Sequence, residues 1–235
     1  MTRLGYLATL LWGVFAFVVS QAVGVLVLWW MYRGDTAALV AQPYNGVAIA
    51  VVTVVTNAVE VALLIAIVAL WRQNVGAYLG LILPRHDDLK LAAIAVALFI
   101  VGGDAIIYLA NQQIVPPFET QAYETARASG WLLALAFAAI IVAPIGEELL
   151  FRGFLFCGWV RSQRGALIGI PVISVSFAGL HVQYDAVGML QIFGVGLLLG
   201  WLRWRSGSTL LTIGCHAFVN FESSVETFVK VHWFP

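Results

Sequence analysis

Two adjacent carboxylates and an arginine stand inside an otherwise apolar run, Gly146-Glu147-Glu148-Leu149-Leu150-Phe151-Arg152. A charge held near the middle of a membrane-spanning helix costs about 3 kcal/mol, so ionisable groups kept there are functional candidates. Neighbouring helical residues point about 100° apart, so Glu147 and Glu148 cannot face one partner, whereas Glu148 and Arg152 at i,i+4 can pair. Glu148 is thereby neutralised and Glu147 left free. Phe177 with His181, and His216 with Asn220, repeat the i,i+4 spacing on apolar segments. A free glutamate, two histidines and an asparagine in a low-dielectric interior suffice for hydrolysis. A carboxylate in an apolar site holds its proton more tightly and is a stronger general base for water. A neutral imidazole orients that water, and His216 with Asn220 can donate to the oxyanion of an attacked amide. The same set could instead hold zinc, with Glu147, His181 and His216 as ligands. The HExxH pairing of the common helical zinc proteases is absent from the sequence. Cys157 and Cys215 read as small buried hydrophobes: a disulfide framework is not indicated, and Cys215 diverges from its neighbour His216 on a helix.

The elements that must position these groups are membrane helices. Of 235 residues 62% are hydrophobic and 10% charged, and the mean hydropathy is +0.94. That composition predicts an all-α polytopic bundle of about seven spans. Net charge is zero, which excludes a nucleic-acid partner. Apolar stretches fall at 4–31, 46–71, 89–110, 131–159, 166–180, 186–202 and from 208 onward; the fifth and sixth are short for a full crossing of about 20 residues. The first is too long for a signal-peptide core and is read as a retained span. Residues 1–130 form a three-span region with an interfacial helix or lid near 116–130, opened by Pro116-Pro117, and residues 131–235 carry the motifs; the two make one continuous membrane domain. Thr53, Asn57 and Glu60 draw a polar stripe expected to face the bundle interior, and Asp104 is read as a buried polar contact. With the N-terminus in the cytoplasm, Arg3, Arg72, Arg85, Lys90, Arg152, Arg161, Arg164, Arg203 and Arg205 face the cytoplasm and Arg33, Arg127 and Lys230 do not, as the positive-inside rule requires. In an antiparallel hairpin turning near residue 164, Glu147 and His181 lie at matching height, each roughly 25 Å of helix from the turn. His216 comes level only if the 152–164 hairpin projects beyond the start of the last span.

Taken together, Glu147-Glu148-x-x-x-Arg152, Phe177-x-x-x-His181 and His216-x-x-x-Asn220 resemble the three ordered motifs of the CAAX-protease and bacteriocin-processing family of intramembrane endopeptidases, of the type 2 CAAX prenyl protease kind. The resemblance covers about residues 131–221. It implies Glu147 as general base, His181 assisting it on the water, and His216 and Asn220 at the oxyanion. Glu148 and Arg152 would be architectural and Phe177 would pack. The family is often labelled a metalloprotease, yet the Glu/His/Asn set also works without metal, and zinc stays open. The implied substrate is a membrane-associated or C-terminally lipidated protein or peptide. Short loops fit a compact prokaryotic member in the cell inner membrane. The competing readings are a non-catalytic membrane scaffold or immunity partner, and a transporter using Glu60, Asp104 and Glu147. Oligomeric state leaves no mark in the sequence.

Overall fold

The computed structural model describes residues 4–110 and 113–234; Arg3 lies outside them. Every regular element among the described residues is a helix, with no strand: α1 Tyr6–Met31, α2 Thr36–Ala41, α3 Gly46–Leu70, α4 Val75–Leu79, α5 His86–Leu109, α6 Pro117–Ala128, α7 Leu132–Trp159, α8 Gln163–Gly179, α9 Ala186–Ser206 and α10 Thr209–Trp233. Side-chain caps set many starts. Asn45 accepts from the backbone of Val47 and Ala48, Ser162 from Gly165, Asp185 from Gly188 and Ser208 from Leu211, each satisfying amide groups that a helix N-terminus leaves bare.

Five helices, α1, α3, α5, α7 and α9, are long and apolar enough to cross a membrane. The all-helical membrane bundle expected from composition is thus present. The other two expected spans form as helices but fall short of that standard. α8 has 17 residues, and α10, at 25 residues, carries Glu222, Glu226 and Lys230. α1 shows how the bundle packs. Its outer face exposes Leu7, Leu11, Val18 and Trp30, while its inner face is the small-residue series Thr9, Gly13, Ala16, Ser20 and Gly24. Small residues let helix backbones approach closely: the Ser20 and Gly24 end of that face lies on α3, where a Cβ at Gly24 would come within 2.7 Å of the Thr56 methyl, and the Thr9 and Gly13 end lies on α7, where a Cβ at Gly158 would overlap Thr9 Oγ1. The stripe on α3 faces inward as expected. Glu60 is buried and accepts from Ser20 Oγ at 3.2 Å, and a Cβ at Gly146 of α7 would overlap Asn57 Oδ1.

The seven long helices alternate in direction, which gives the bundle two ends. At the proximal end, where α1 begins, Trp159 Nε1 donates to the Tyr6 carbonyl at 3.0 Å and Arg161 to the Leu4 carbonyl. There too Thr209 N donates to the Gly80 carbonyl at 2.8 Å. At the distal end α6 is pinned across the bundle, with Gly46 N donating to Thr125 Oγ1 at 2.8 Å. A helix does form in the 116–130 segment, started by Pro116 as cap and Pro117 in its first turn, where a missing amide hydrogen costs nothing.

Two basic residues counted as cytoplasm-facing charges are instead inside the protein. Arg152 is wholly buried, and Arg203 is 9% exposed. Arg203 Nε donates to the Arg152 carbonyl at 2.9 Å and to Thr209 Oγ1 at 3.0 Å. Thr209 Oγ1 itself donates to the Leu79 carbonyl at 2.6 Å. α10 therefore starts level with Arg152, and the remainder of α7 projects past it, which is the condition for His216 to reach the glutamates.

Candidate active site

α7 is not a uniform α-helix. Residues Ala138–Val142 and Leu149–Leu155 are π-helical. Pro144 follows the first π turn; it has no amide hydrogen to offer and its ring crowds the preceding turn, which is a recognised cause of such widening. A π turn leaves carbonyls off the regular ladder. Two of them are used here. Ala139 O accepts from Asn220 Nδ2 at 2.9 Å, and Arg152 O accepts from Arg203.

Glu148 and Arg152 form the expected pair, with Nη1 2.7 Å from Oε1 and both side chains completely buried. Arg152 Nη2 reaches the Gly196 carbonyl at 3.1 Å, and its guanidinium lies 4.6 Å from the Phe177 ring centroid. Glu148 Oε1 has a second partner, His216 Nδ1 at 3.0 Å. A carboxylate accepts, so Nδ1 carries the proton and Nε2 is turned toward Glu147, whose Oε2 lies 3.8 Å away. That Oε2 is buried without a hydrogen-bond partner. His181 just past α8 sets its ring by the same logic: Nδ1 lies 2.8 Å from the Phe177 carbonyl, which can only accept, so Nε2 is left free for another group. Phe177 stands between the two imidazoles, 4.8 Å from His181 and 5.7 Å from His216 by ring centroid.

These groups share one cavity of about 990 Å³, lined by Glu147, Phe177, His181, His216 and Asn220. Glu148 and Arg152 are behind its wall. Asn220 commits one of its two amide hydrogens to Ala139 O and keeps the other. Glu147, His181 and His216 do not offer ligand atoms converging on one point; among the described residues the acidic or histidine trio that does is Asp104, Glu222 and Glu226, on another stretch of the same cavity. Asp104, read from sequence as a buried polar contact, lies half-buried on this wall.

Sequence reasoning passed over three parts of the site. The first is Arg203, whose signal was an arginine near the end of an apolar helix. The second is Thr209, beside the Gly207 turn. The third is the distal cluster around Glu119 of α6, which accepts from Tyr184 Oη at 2.9 Å, Ser223 Oγ at 2.9 Å and Thr227 Oγ1 at 3.0 Å. Burial first, and the Glu119 carboxylate second, push the Tyr184 hydroxyl well above its ordinary range, so it stays a donor. No short sequence pattern announces a cluster drawn from three separate elements.

Fold and site together define an all-helical integral membrane protein with a paired-carboxylate and histidine centre inside its bundle. Residues 129–221 match the family model described as type II CAAX prenyl endopeptidase Rce1-like, which supports the CAAX protease family for the region that holds every one of these motifs. An uncharacterized 24.3 kDa protein of Escherichia coli is 29% identical over 127 residues, covering 50% of this chain and 58% of that relative. No solved structure matches.

Proposed function

We propose that this protein is an intramembrane endopeptidase that hydrolyses peptide bonds of membrane-associated proteins or peptides with a glutamate-activated water. The observation that carries this reading is the Glu147 carboxylate facing the cavity with Oε2 unpartnered, 3.8 Å from His216 Nε2, in a region matching an endopeptidase family.

Each residue then has a step. Glu147 takes a proton from water as the water oxygen attacks the scissile carbonyl carbon. His181 Nε2 orients that water, its tautomer fixed by the Phe177 carbonyl. The oxyanion that forms meets the remaining Asn220 amide hydrogen, beside the His216 ring that Glu148 holds in place. Glu147 returns its proton to the leaving nitrogen, the C–N bond breaks, and a carboxylate and an amine leave. Arg152 acts on none of these atoms. It neutralises Glu148, so that Glu148 can sit at zero exposure and hold the His216 ring.

Zinc would fall to Glu147, His181 and His216. Because these three donors do not converge, no step is routed through a metal. Glu147→Gln tests the proposal. Removing a positioned general base typically costs ~10²–10⁴ in rate, so turnover should fall by that order while the folded protein still inserts and purifies normally. Full turnover in Glu147→Gln overturns the base assignment.

A further inference from the structure

The cavity belongs to the distal end of the bundle. α3 reaches it through Ile49 and Thr53, α10 from His216 onward, and α6 closes its distal wall with Phe118 and Glu119. Of Glu147, His181, His216 and Asn220, His181 alone stands outside a helix. It lies in the short connection after α8, where Val182, Gln183 and Asp185 are exposed. Its backbone ties there are local: His181 N donates to the Ala178 carbonyl at 2.9 Å and Tyr184 N to the His181 carbonyl at 3.1 Å. Tyr184 is the member of that connection that packs inward. Its ring centroid lies 4.8 Å from Phe118 and 6.2 Å from His181, and it leans on α9 so closely that a Cβ at Gly188 would come within 2.9 Å of the ring.

What holds Tyr184 from across the cavity is α6. Glu119 Oε1 accepts from Tyr184 Oη at 2.9 Å, while Oε2 accepts from Ser223 Oγ at 2.9 Å and Thr227 Oγ1 at 3.0 Å. Ser223 and Thr227 lie on α10, about one and two turns past Asn220. One half-buried carboxylate therefore bridges the connection that bears His181 and the helix that bears His216 and Asn220. α6 has other attachments that do not reach the site: Thr125 Oγ1 accepts from Gly46 N at 2.8 Å, and Tyr123 meets Phe228 edge to face. Both oxygens of Glu119 are spent instead on elements of the catalytic centre.

Resting on the proteolytic reading above, we propose that Glu119 is a positioning residue: through Tyr184 it holds the 180–185 connection so that His181 keeps Nδ1 on the Phe177 carbonyl and Nε2 free, in register with α10. Glu119 touches no reacting atom. It lies outside residues 129–221, so the centre takes this support from a segment that the family match does not cover.

One arm of the test needs no substrate. In detergent-purified chain carrying nitrogen-15 in its histidine rings, at a pH where imidazole is neutral, the His181 signals are identified by their loss in His181→Gln. They should report the Nδ1–H tautomer. Glu119→Leu and Tyr184→Phe should each release the ring, so that Nε2–H signal appears. Glu119→Gln keeps a carbonyl oxygen for Tyr184 and offers its amide hydrogens to the Ser223 and Thr227 hydroxyls, so the wild-type signature should return. Thr125→Val loosens α6 elsewhere and should lower thermal stability with the His181 signature unchanged. A wild-type signature in folded Glu119→Leu and Tyr184→Phe overturns the proposal, and so does a signature lost equally in Thr125→Val. The second arm uses as probe a peptide spanning a Glu147-dependent cleavage site found in cells. Here kcat should fall about 10- to 100-fold in Glu119→Leu and in Tyr184→Phe, with KM little changed. The double variant should lose no more than either single one, because both break one chain of contacts. A loss confined to KM, or losses that multiply in the double variant, overturns the proposal. If cells show no Glu147-dependent site, the proteolytic reading falls, while the tautomer measurement still decides whether Glu119 holds His181.

Discussion

Glu148 shows why one carboxylate of the pair cannot do the chemistry. Its Oε1 is held by both Arg152 and His216, and the whole side chain is buried outside the cavity lining that Glu147 joins, so under the proteolytic reading a water in the cavity meets Glu147 and not Glu148. Removing one member of a buried ion pair leaves the other uncompensated, at a cost of about 3–5 kcal/mol. Arg152→Met should therefore lose most folded protein in a thermal-stability assay in detergent. The double change Glu148→Gln with Arg152→Met should recover much of that stability, while activity stays low because His216 has lost its carboxylate. Stability unchanged in the single variant would contradict the pairing. Asn220 is the milder case. Asn220→Ala removes one oxyanion donor and should lower kcat by ~10²–10³ with KM little changed; an equal loss in KM alone would assign it to substrate binding. The sequence disclosed the Glu148–Arg152 pair, because i,i+4 geometry follows from helical spacing alone. It did not disclose that Asn220 spends a hydrogen on Ala139 O, since that carbonyl is released only by a π turn no spacing encodes.

At the level of single elements, hydropathy and punctuation marked the helices well. Asn45, Asp185 and Ser208 begin helices near where the apolar runs begin, and Pro116-Pro117 opens α6. Hidden from such a reading were the two π segments of α7, which depend on how Pro144 is accommodated and on what accepts the freed carbonyls. Pro144→Ala restores an amide hydrogen and removes the crowding, so the first π turn should tighten toward α-helix. Cleavage should then fall about tenfold or more, as small misplacement of catalytic groups does, with thermal stability unchanged or raised. Undiminished cleavage would show that the π turn does not position Glu147 and Asn220. Gly146 makes a related case. Its close approach to Asn57 explains how α3 and α7 touch at the motif, something neither segment reveals alone.

On the scale of the whole molecule, the asymmetry of basic residues was legible from the chain, and so was the bundle. Which end holds the cavity was not, because that depends on where α6 closes over the helices and where α10 begins. The register of α10 against Arg152, left conditional by sequence, follows from the Thr209 contacts with the Leu79 and Arg152 carbonyls. The separation of Glu147, His181 and His216 also belongs here. Purified protein should keep its activity after dialysis against a strong zinc chelator, and loss of activity restored by added zinc would require the three donors to close on a metal. The most direct measurement compares the free N- and C-termini of membrane proteins and exported peptides in cells expressing the wild-type chain or Glu147→Gln at equal levels. A set of termini present with the wild type and absent with Glu147→Gln is the expected result. Identical termini in the two strains would contradict glutamate-dependent proteolysis by this protein.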